Sequence, residues 1–279
     1  MKINYRQHAA RMTVAVSLAL FGAQPAFAMT LGSASSFAVL GASTVTNTGP
    51  SLIQGNLGVS PGTAVTGFGP GTVSGGSIHA GDAVAAAAHA DAATAYAALV
   101  AMVSPPANDL TGRDLGGMTL VPGVYHFASS AQLTGVLTLD ARGDSNALFV
   151  FQVGSTLVTA VNSKVVVINA GTACPGANVY WQVTSSATIG GGSIFAGNIL
   201  ALASVTLTAN AAITGSVLAI TAAVTMDTDK VSTCNSNNSG GGGRGGHGEK
   251  DDDDKDEKGH KHGDKDDREH HDNDKKDRG

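Results

Sequence analysis

Residues 197–226 read GNILALASVTLTANAAITGSVLAITAAVTM, and this stretch decides the fold because it contains one pattern twice. GNILA at 197–201 recurs as GSVLA at 215–219, eighteen residues later, and VTL recurs as VTM nineteen residues later. A period near eighteen residues is too short for a helical hairpin or a propeller blade. It is typical of one coil of a β-solenoid with three short strands and tight turns. Each coil can then bury its inward side chains only by stacking on its neighbours.

The strands of this repeat have two different faces. In Val205-Thr206-Leu207-Thr208 the aliphatic residues alternate with threonine, so the aliphatic side chains point inward and the threonines outward. The runs 147–153, apart from Gln152, and 165–168 are instead continuously apolar, which is typical of strands covered on both faces. We therefore expect another element to cover them from outside.

One segment is predicted to be helical, from residue 83 to about residue 102, because most of it is alanine, the best helix former. Asp82 can cap its first turn, and the helix is expected to end before Pro105. An apolar stripe is predicted at Val84, Ala88, Tyr96, Leu99 and Val103. This helix is the expected cover for the apolar strands.

The two ends of the chain differ from the body, which we interpret as one domain over residues 29–234. Residues 1–28 combine a basic start, an apolar run of about a dozen residues and Ala26-Phe27-Ala28, and are predicted to be a cleaved export signal. No run reaches the ~20 apolar residues that a bilayer-spanning helix needs, so no transmembrane segment is expected. Residues 235–279 contain fourteen acids, ten bases and no aromatic or β-branched residue, and are predicted to be a disordered tail.

The body itself is very poor in charge. Residues 29–234 contain no Glu, eight Asp and four Lys or Arg, whereas about a quarter of the residues in an average globular protein are charged. The net charge is modest in both body and tail, so we expect neither a nucleic acid nor an anionic membrane as a partner.

Cysteine and histidine residues supply two further candidate sites. Cys174 and Cys234 are a candidate disulfide in an exported chain, and two buried free thiols are the alternative. The tail histidines His260, His262, His270 and His271 lie among carboxylates, a composition that can bind Zn or Ni loosely. They have no fixed ligand spacing, and a solvating tail is the alternative. We therefore predict no firm metal site and no cofactor.

Five phrases of the body together resemble a known family. They are LGSASSFAVLG at 31–41, GNLGVSPG at 55–62, LVPGVY at 120–125, NVYWQV at 178–183 and GNILA at 197–201. In this order they resemble the ice-binding (antifreeze) protein family of polar microbes. The resemblance implies a discontinuous right-handed β-solenoid of triangular section with one long helix alongside. It also implies that the protein binds the ice surface through one face of parallel strands, depresses the freezing point and blocks recrystallisation. Together with the predicted export signal, we expect a secreted monomer.

The resemblance assigns the ice contacts to outward threonine and serine side chains. The candidates are Thr188, Thr206 and Thr225 in one column, Ser185 and Thr221 in a second, Thr156 and Thr159 one coil further, and Ser43, Thr44 and Thr46 in the early coil. The sequence departs from an ideal threonine array at two positions, so we expect moderate ice-binding activity. Ala203, in the middle of the second column, lacks a hydroxyl, and Asp227 stands where threonine would be natural. Threonine is also a good strand residue in general, so an ordinary exposed face is the alternative.

Two non-enzymatic functions are compatible with this sequence. The first is ice binding, and the second is a structural or adhesive cell-surface module of the same fold without ice affinity. A regular threonine face favours the first, and a face broken by large or charged side chains favours the second. A carbohydrate-active enzyme is disfavoured, because the body has no Glu and its sparse Asp residues stand in turn-like settings. The protein is expected in the medium, at the cell surface or in the periplasm.

Overall fold

Short strands wind into coils that stack along one axis. The computed structural model describes residues 29–171, 174 and 176–234, all within the first of the two units into which the chain divides, Met1–Gly241. The predicted export signal and the predicted disordered tail lie outside the described residues.

The described residues form twenty-three strands, one α-helix and two 3₁₀ helices. The helices are α1 (Ala83–Val100) and the 3₁₀ helices Gly32–Ser36 and Pro106–Asn108. The strands are β1 (Phe37–Gly41), β2 (Thr44–Thr48), β3 (Leu52–Gln54), β4 (Asn56–Val59), β5 (Ala64–Thr66), β6 (Thr72–Ser74), β7 (Ile78–Ala80), β8 (Thr119–Leu120), β9 (Gly123–Phe127), β10 (Ala131–Leu133), β11 (Val136–Asp140), β12 (Phe149–Val153), β13 (Leu157–Thr159), β14 (Lys164–Ile168), β15 (Val179–Val183), β16 (Ala187–Ile189), β17 (Ile194–Ala196), β18 (Asn198–Ala201), β19 (Val205–Leu207), β20 (Ala212–Thr214), β21 (Val217–Ala219), β22 (Val224–Asp227) and β23 (Lys230–Ser232).

Successive strands belong to three parallel sheets, which form the three sides of the solenoid. Sheet A has the strand order β7-β4-β1-β21-β18-β15-β12-β9, sheet B the order β10-β13-β16-β19-β22-β2-β5, and sheet C the order β6-β3-β23-β20-β17-β14-β11-β8. The solenoid of three short strands per coil that the eighteen-residue repeat predicts is thereby confirmed.

The coils do not stack in chain order. The first coil, β1 to β3, pairs with the last, β21 to β23, so an N-terminal stack and a C-terminal stack meet at one junction, which we call the seam. Among the described residues, the chain itself connects every other pair of neighbouring coils, and it does not connect the two coils at the seam. Hydrogen bonds across the seam join residues 178 positions apart, such as Ser51 and Asp229. This is the discontinuous arrangement that the family resemblance implies.

Aromatic rings stack inside the C-terminal coils. Tyr125, Phe151 and Trp181 occupy the same register position in three neighbouring strands of sheet A. The ring centroids of Phe151 and Trp181 are 4.0 Å apart, and those of Tyr125 and Phe151 are 5.4 Å apart. Because a solenoid repeats one register from coil to coil, large side chains at one position form a continuous buried column.

Helix α1 covers the outer side of sheet A. Asp82 caps it by accepting a hydrogen bond from the Ala85 N–H group at 2.8 Å, and the helix ends at Val100, two residues before the predicted end. Its buried residues are Ala85, Ala88, Ala92, Ala95 and Leu99. All of them except Ala85 belong to the same buried cluster as the outward side chains of sheet A, among them Leu40, Val150 and Leu218.

The predicted apolar stripe of α1 is wrong at two of its five positions. Val84 is 49% exposed and Val103 is 86% exposed. The buried stripe consists almost entirely of alanine, so the larger aliphatic residues do not mark it. Within the described residues, α1 is the one helix with the length and apolar composition that a membrane span would require. The packing of its small side chains on sheet A accounts for that composition.

Polar contacts fix the helix along its length. Gln152 donates its side-chain N–H groups to the backbone oxygens of Leu99 at 2.7 Å and Met102 at 2.8 Å, where α1 ends. The carboxylate of Asp91 accepts hydrogen bonds from the Ser33 N–H and hydroxyl groups. The two Gln152 contacts satisfy carbonyls that a helix C-terminus leaves unpaired.

The outer side of sheet C has no such cover. Val166 and Ile168 are each 38% exposed, so the prediction that the run 165–168 is covered on both faces is wrong. The run 147–153 differs, because every residue of β12 is buried between the core and α1. An apolar run by itself therefore does not distinguish a covered strand from a strand with aliphatic residues on its open side. In the segments that follow β14 and β23, Cys174 and Cys234 form a disulfide with 5.5 Å between their Cα atoms.

The first prediction concerns the contact between α1 and sheet A. We expect Leu99→Ala to lower the free energy of unfolding by about 2–5 kcal/mol, because it leaves a cavity under the helix. Val103→Ala is the control, since that side chain is exposed and its loss should change stability by less than about 0.5 kcal/mol. Urea unfolding followed by circular dichroism measures both, and equal effects would contradict the packing of α1 described above.

Asp229 is a buried carboxyl at the seam. Its two side-chain oxygens accept hydrogen bonds from the N–H groups of Ala211 and Asp227, each at 2.7 Å. Burial away from water nevertheless raises the pKa of Asp229 from its ordinary value of 3.8 to about 6. Surface carboxyls behave differently: hydrogen bonds from neighbouring groups lower the pKa of each of them. They are Asp82, Asp91, Asp109 and Asp140.

The second prediction is that stability falls as the pH rises through about 6. A carboxyl whose pKa is higher in the folded than in the unfolded state stabilises the fold fully when the pH is below its unfolded-state pKa. This stabilisation disappears as Asp229 ionises in the folded protein. The loss is at most about 3 kcal/mol, because one pKa unit corresponds to about 1.4 kcal/mol. The surface carboxyls reduce stability only when the pH falls below about 4.

Urea unfolding at about pH 5 and at about pH 7.5 measures this change. Asp229→Asn cannot ionise, so its stability should vary little between the two conditions, although it loses one of the backbone hydrogen bonds. The same pH dependence in Asp229→Asn and in the wild type would exclude Asp229 as the cause.

Candidate functional site

A row of five threonines runs along the outer side of sheet B. Thr188, Thr206 and Thr225 project from the middle of β16, β19 and β22, and each is the register partner of the next. Thr46 of β2 follows Thr225, and Thr66 of β5 follows Thr46. Their neighbours in each strand are the inward aliphatic residues, so the alternation of the strand turns all five threonines to the same side. We call these five residues the threonine row.

Most hydroxyl groups of the threonine row are free to bind water. The hydroxyls of Thr188, Thr206 and Thr225 make no hydrogen bond within the part of the chain that the structure describes. Thr66 donates its hydroxyl to that of Thr46 at 3.3 Å. Each residue is half-buried or exposed, so the row is accessible to solvent along its length.

The row continues beyond the threonines without a hydroxyl group. Val158 of β13 is the register partner of Thr188, and Gln132 of β10 is the partner of Val158. Val158 is 41% exposed. The seven aligned positions therefore consist of five threonines followed by one aliphatic and one amide side chain, with no charged residue among them.

A second row consists of the residues that stand two positions before the seven aligned positions described above, in or just before each strand. Its members are Ser130, Thr156, Ser186, Ser204, Ala223, Thr44 and Ala64. Several of these hydroxyls bond to one another: Ser130 and Thr156 are 2.8 Å apart, and Ser186 and Ser204 are 2.9 Å apart. The second row is thus less regular and has fewer free hydroxyls than the threonine row.

The structure brings six of the ten predicted residues onto the outer side of sheet B, whereas Thr159 points inward and the other three lie in corner turns. Thr188, Thr206, Thr225 and Thr46 stand in the threonine row, and Thr156 and Thr44 in the second row. The expectation that Thr159 extends the face is wrong. Along β13, Leu157 and Thr159 point inward and Val158 points outward. The Thr159 side chain is therefore only 4% exposed, and its hydroxyl accepts a hydrogen bond from the Gly190 N–H group at 2.8 Å.

The predicted second column lies at the edge of sheet B. Ser185 and Thr221 are in the corner turns between sheets A and B, and the strand face begins one or two residues later, at Ser186 and Ala223. Thr221 donates its hydroxyl to the Leu202 carbonyl across this corner. Ser43, also predicted, is an exposed residue of the same corner in the first coil. The eighteen- and nineteen-residue coils differ in length at this corner, so sequence spacing alone places the column wrongly.

The sequence reasoning missed Thr66, Ser186 and Ser204. A signal for Thr66 exists: the tripeptide Ala-Val-Thr stands at 64–66 and again at 223–225, where it contains Thr225. The eighteen-residue period does not relate these two tripeptides, because they belong to different stacks.

The other two sides of the solenoid have different surfaces. Sheet A is covered by α1. The matching outward row of sheet C is Val136, Lys164, Ile194, Ala212, Lys230, Leu52 and Thr72. It mixes two lysines with large aliphatic residues, of which Ile194 is 51% exposed. Among the described strands, sheet B alone has five threonines in register on neighbouring strands.

Within the described residues, no cluster of three or more His, Cys, Asp or Glu side chains could hold a metal ion. The weak tail candidates His260, His262, His270 and His271 lie outside the described residues. The described aspartates accept local hydrogen bonds in turns and caps, as Asp109 does from Thr111 and Asp114 from Gly116.

The chain is similar to ice-binding proteins in sequence. A family model described as "Ice-binding-like" matches residues 39–232. An ice-binding protein of Nostoc sp. (strain HG1) is 55% identical over 233 residues, which cover 83% of this chain and 84% of that protein. An ice-binding protein of Flammulina populicola is 32% identical over 212 residues, which cover 70% of this chain and 84% of that protein.

Solved structures of ice-binding proteins have the same fold. That of the Antarctic ascomycete Antarctomyces psychrotrophicus has a TM-score of 0.70 at 40% sequence identity, and covers 75% of this chain and 99% of its own. That of an Arctic yeast, described with its antifreeze activity, has a TM-score of 0.66 at 30% identity, and covers 75% of this chain and 95% of its own.

Proposed function

Because this chain belongs to the Ice-binding-like protein family, we propose that it binds ice through the threonine row of sheet B. The observation that carries this proposal is the register of five threonines on neighbouring strands, three of them with hydroxyls that make no hydrogen bond to the described residues. Parallel strands stand about 4.8 Å apart, so the row presents hydroxyl and methyl groups at a fixed repeat.

A rigid, repeated array is suited to a crystalline ligand. Each threonine hydroxyl can hold one water molecule, while the adjacent methyl group favours water that is ordered around it. Ordering a water that bridges polar groups costs about 0–2 kcal/mol, and the strands hold the side chains in place before binding. Many weak contacts therefore add up on one surface, as in multivalent binding.

The absence of charge in both rows of sheet B supports the same surface. A charged side chain holds its own hydration shell and would disturb an ordered water layer. Sheet C, with Lys164 and Lys230 in its outward row, is the less suitable side. The alternative of a structural module without ice affinity would require no such regular row.

The proposal includes where and how the protein works. We propose that it is exported by residues 1–28, that it acts as a monomer and that it performs no catalysis. The disulfide between Cys174 and Cys234 supports an oxidising compartment. Asp109, Asp114 and Asp140 each accept hydrogen bonds within a separate turn, which supports a binding function rather than paired-carboxylate chemistry.

The third prediction tests the threonine row directly. We expect the double variant Thr206→Tyr, Thr225→Tyr to lose inhibition of ice recrystallisation at the micromolar concentration at which the wild type is active, because two large rings would hold the face away from ice. The assay follows grain growth in a frozen solution of the purified full chain. The matched control is Thr119→Tyr, Thr214→Tyr, which places the same rings on exposed threonines of sheet C.

Each result of this comparison has a separate meaning. If both variants inhibit recrystallisation as the wild type does, the ice-binding surface is not sheet B. If only the sheet C variant loses activity, sheet C is the binding surface. If the folded wild type is inactive, the ice-binding proposal fails and the structural-module alternative replaces it.

The fourth prediction concerns the end of the row at Val158. Val158→Thr would give a sixth threonine in register, and we expect it to lower the concentration needed to stop grain growth by about two- to tenfold, as one further contact of a multivalent surface. Val166→Thr is the control, since Val166 has similar exposure on sheet C and its replacement should leave activity unchanged. An equal gain in both variants would point to a general effect of hydroxyl groups on the surface.

A further inference from the structure

The threonine row is assembled from two stacks that the chain does not connect at the seam. Thr188, Thr206 and Thr225 belong to the C-terminal stack, whereas Thr46 and Thr66 belong to the N-terminal stack. The seam passes between Thr225 and Thr46, which are register partners although they are far apart in the chain. A small tilt between the stacks would therefore break the row into two shorter ones without unfolding either stack.

One corner of the solenoid has a different structure at the seam than elsewhere. The residue just before six of the eight strands of sheet C is buried at the corner between sheets B and C; these residues are Ser163, Ser193, Ala211, Asp229, Ser51 and Gly71. Away from the seam the serines bond to backbone carbonyls: Ser163 donates to Leu133 O at 2.9 Å, and Ser193 donates to Ala160 O at 3.1 Å.

At the seam, side chains bond across several coils. Asp229 accepts a hydrogen bond from the Ala211 N–H group of the preceding coil and donates its own N–H group to the Ser51 hydroxyl at 2.9 Å. Ser51 in turn donates its hydroxyl to the Asn47 side-chain oxygen. Asn47 donates its amide to the Gly67 carbonyl of the next coil at 2.7 Å. We call Asn47, Ser51 and Asp229 the seam network.

The seam network adjoins the threonine row on both sides of the seam. Asn47 immediately follows Thr46 in β2, and its bond to Gly67 fixes the residue that immediately follows Thr66. Asp229 stands four residues after Thr225, in the turn between β22 and β23 of the same coil. All three network side chains are at most 3% exposed. Buried hydrogen bonds of this kind are directional, so they define one relative orientation of the coils that apolar packing alone leaves less fixed.

We propose that Asn47, Ser51 and Asp229 are positioning residues, which hold the two parts of the threonine row in one plane for ice. The inference rests on the proposed function of that row. It predicts that weakening the network separates Thr46 and Thr66 from the ice-binding surface while the solenoid stays folded. Thr46 would then no longer contribute to binding, although Thr188, Thr206 and Thr225 still would.

The test combines a seam variant with a variant of the row, in the full chain. Ser51→Ala removes the central hydroxyl of the network, and Ser193→Ala is the matched control because it removes a buried hydroxyl at the same corner position away from the seam. Each is made alone and together with Thr46→Tyr. The readouts are the lowest protein concentration that stops ice recrystallisation and the midpoint of thermal unfolding.

We expect Ser51→Ala to raise the required concentration about tenfold, and Ser193→Ala to raise it less than about twofold, at similar unfolding midpoints. Adding Thr46→Tyr should raise it about tenfold further in the Ser193→Ala background and less than about twofold in the Ser51→Ala background, since coupled sites are not additive. Ser51→Thr, which keeps the hydroxyl, should restore activity.

Other outcomes overturn the proposal. If Thr46→Tyr has the same effect in both backgrounds, or if Ser51→Ala and Ser193→Ala lose activity equally, the network is structural and does not position the row. If Ser51→Ala does not fold, Asn47→Ser replaces it, because it removes the bond to Gly67 and leaves the Ser51 hydroxyl in place. Failure of the proposed function is recognised separately, since the wild type itself would then not stop recrystallisation.

Discussion

The parallel pairing of the first coil with the last is the interaction on which the rest of the structure depends. Each of the two coils would otherwise end in an open layer of aliphatic side chains. Val39 and Val217, Val45 and Val224, and Ile53 and Val231 are register partners across the seam, and all of them are buried. Burying one such side chain contributes about 1.5–3 kcal/mol. The seam therefore joins two stacks, neither of which is closed by itself, into one core.

Once the stacks are joined, the three sides of the solenoid acquire different surfaces. Helix α1 crosses sheet A and contacts both stacks, since one buried cluster contains Phe37 and Leu40 from the N-terminal stack and Leu200 and Leu218 from the C-terminal stack. Sheet C keeps exposed aliphatic side chains and two lysines. Sheet B keeps uncharged threonines in register. The proposed ice-binding surface is thus the uncovered side on which five threonines lie in register, and Asp227 of β22 is a charged side chain on that same side.

The limits of the sequence reasoning follow from particular residues. The period near eighteen residues found Thr188, Thr206 and Thr225, because these coils follow one another in the chain. It could not relate Thr66 to them, since Thr66 reaches the row through the seam. Thr159 is the expected type of residue, but it stands at an inward position of β13, and only the register of that strand reveals this. The stripe of α1 was misplaced at Val84 and Val103, because alanine rather than valine makes the close contact with sheet A.

The amino-acid sequence by itself determined the local properties of this protein: short alternating strands, an alanine-rich helix capped by Asp82, and a body with very little charge. It determined them because strand alternation, helix propensity and capping depend on residues close together in the chain. Only the tertiary structure decided which threonines form one row, which apolar strands are covered, and where the two stacks meet. Those features depend on pairings between residues up to 180 positions apart, such as Ala42 and Ala222, and a repeat in the sequence does not specify which coil stacks on which.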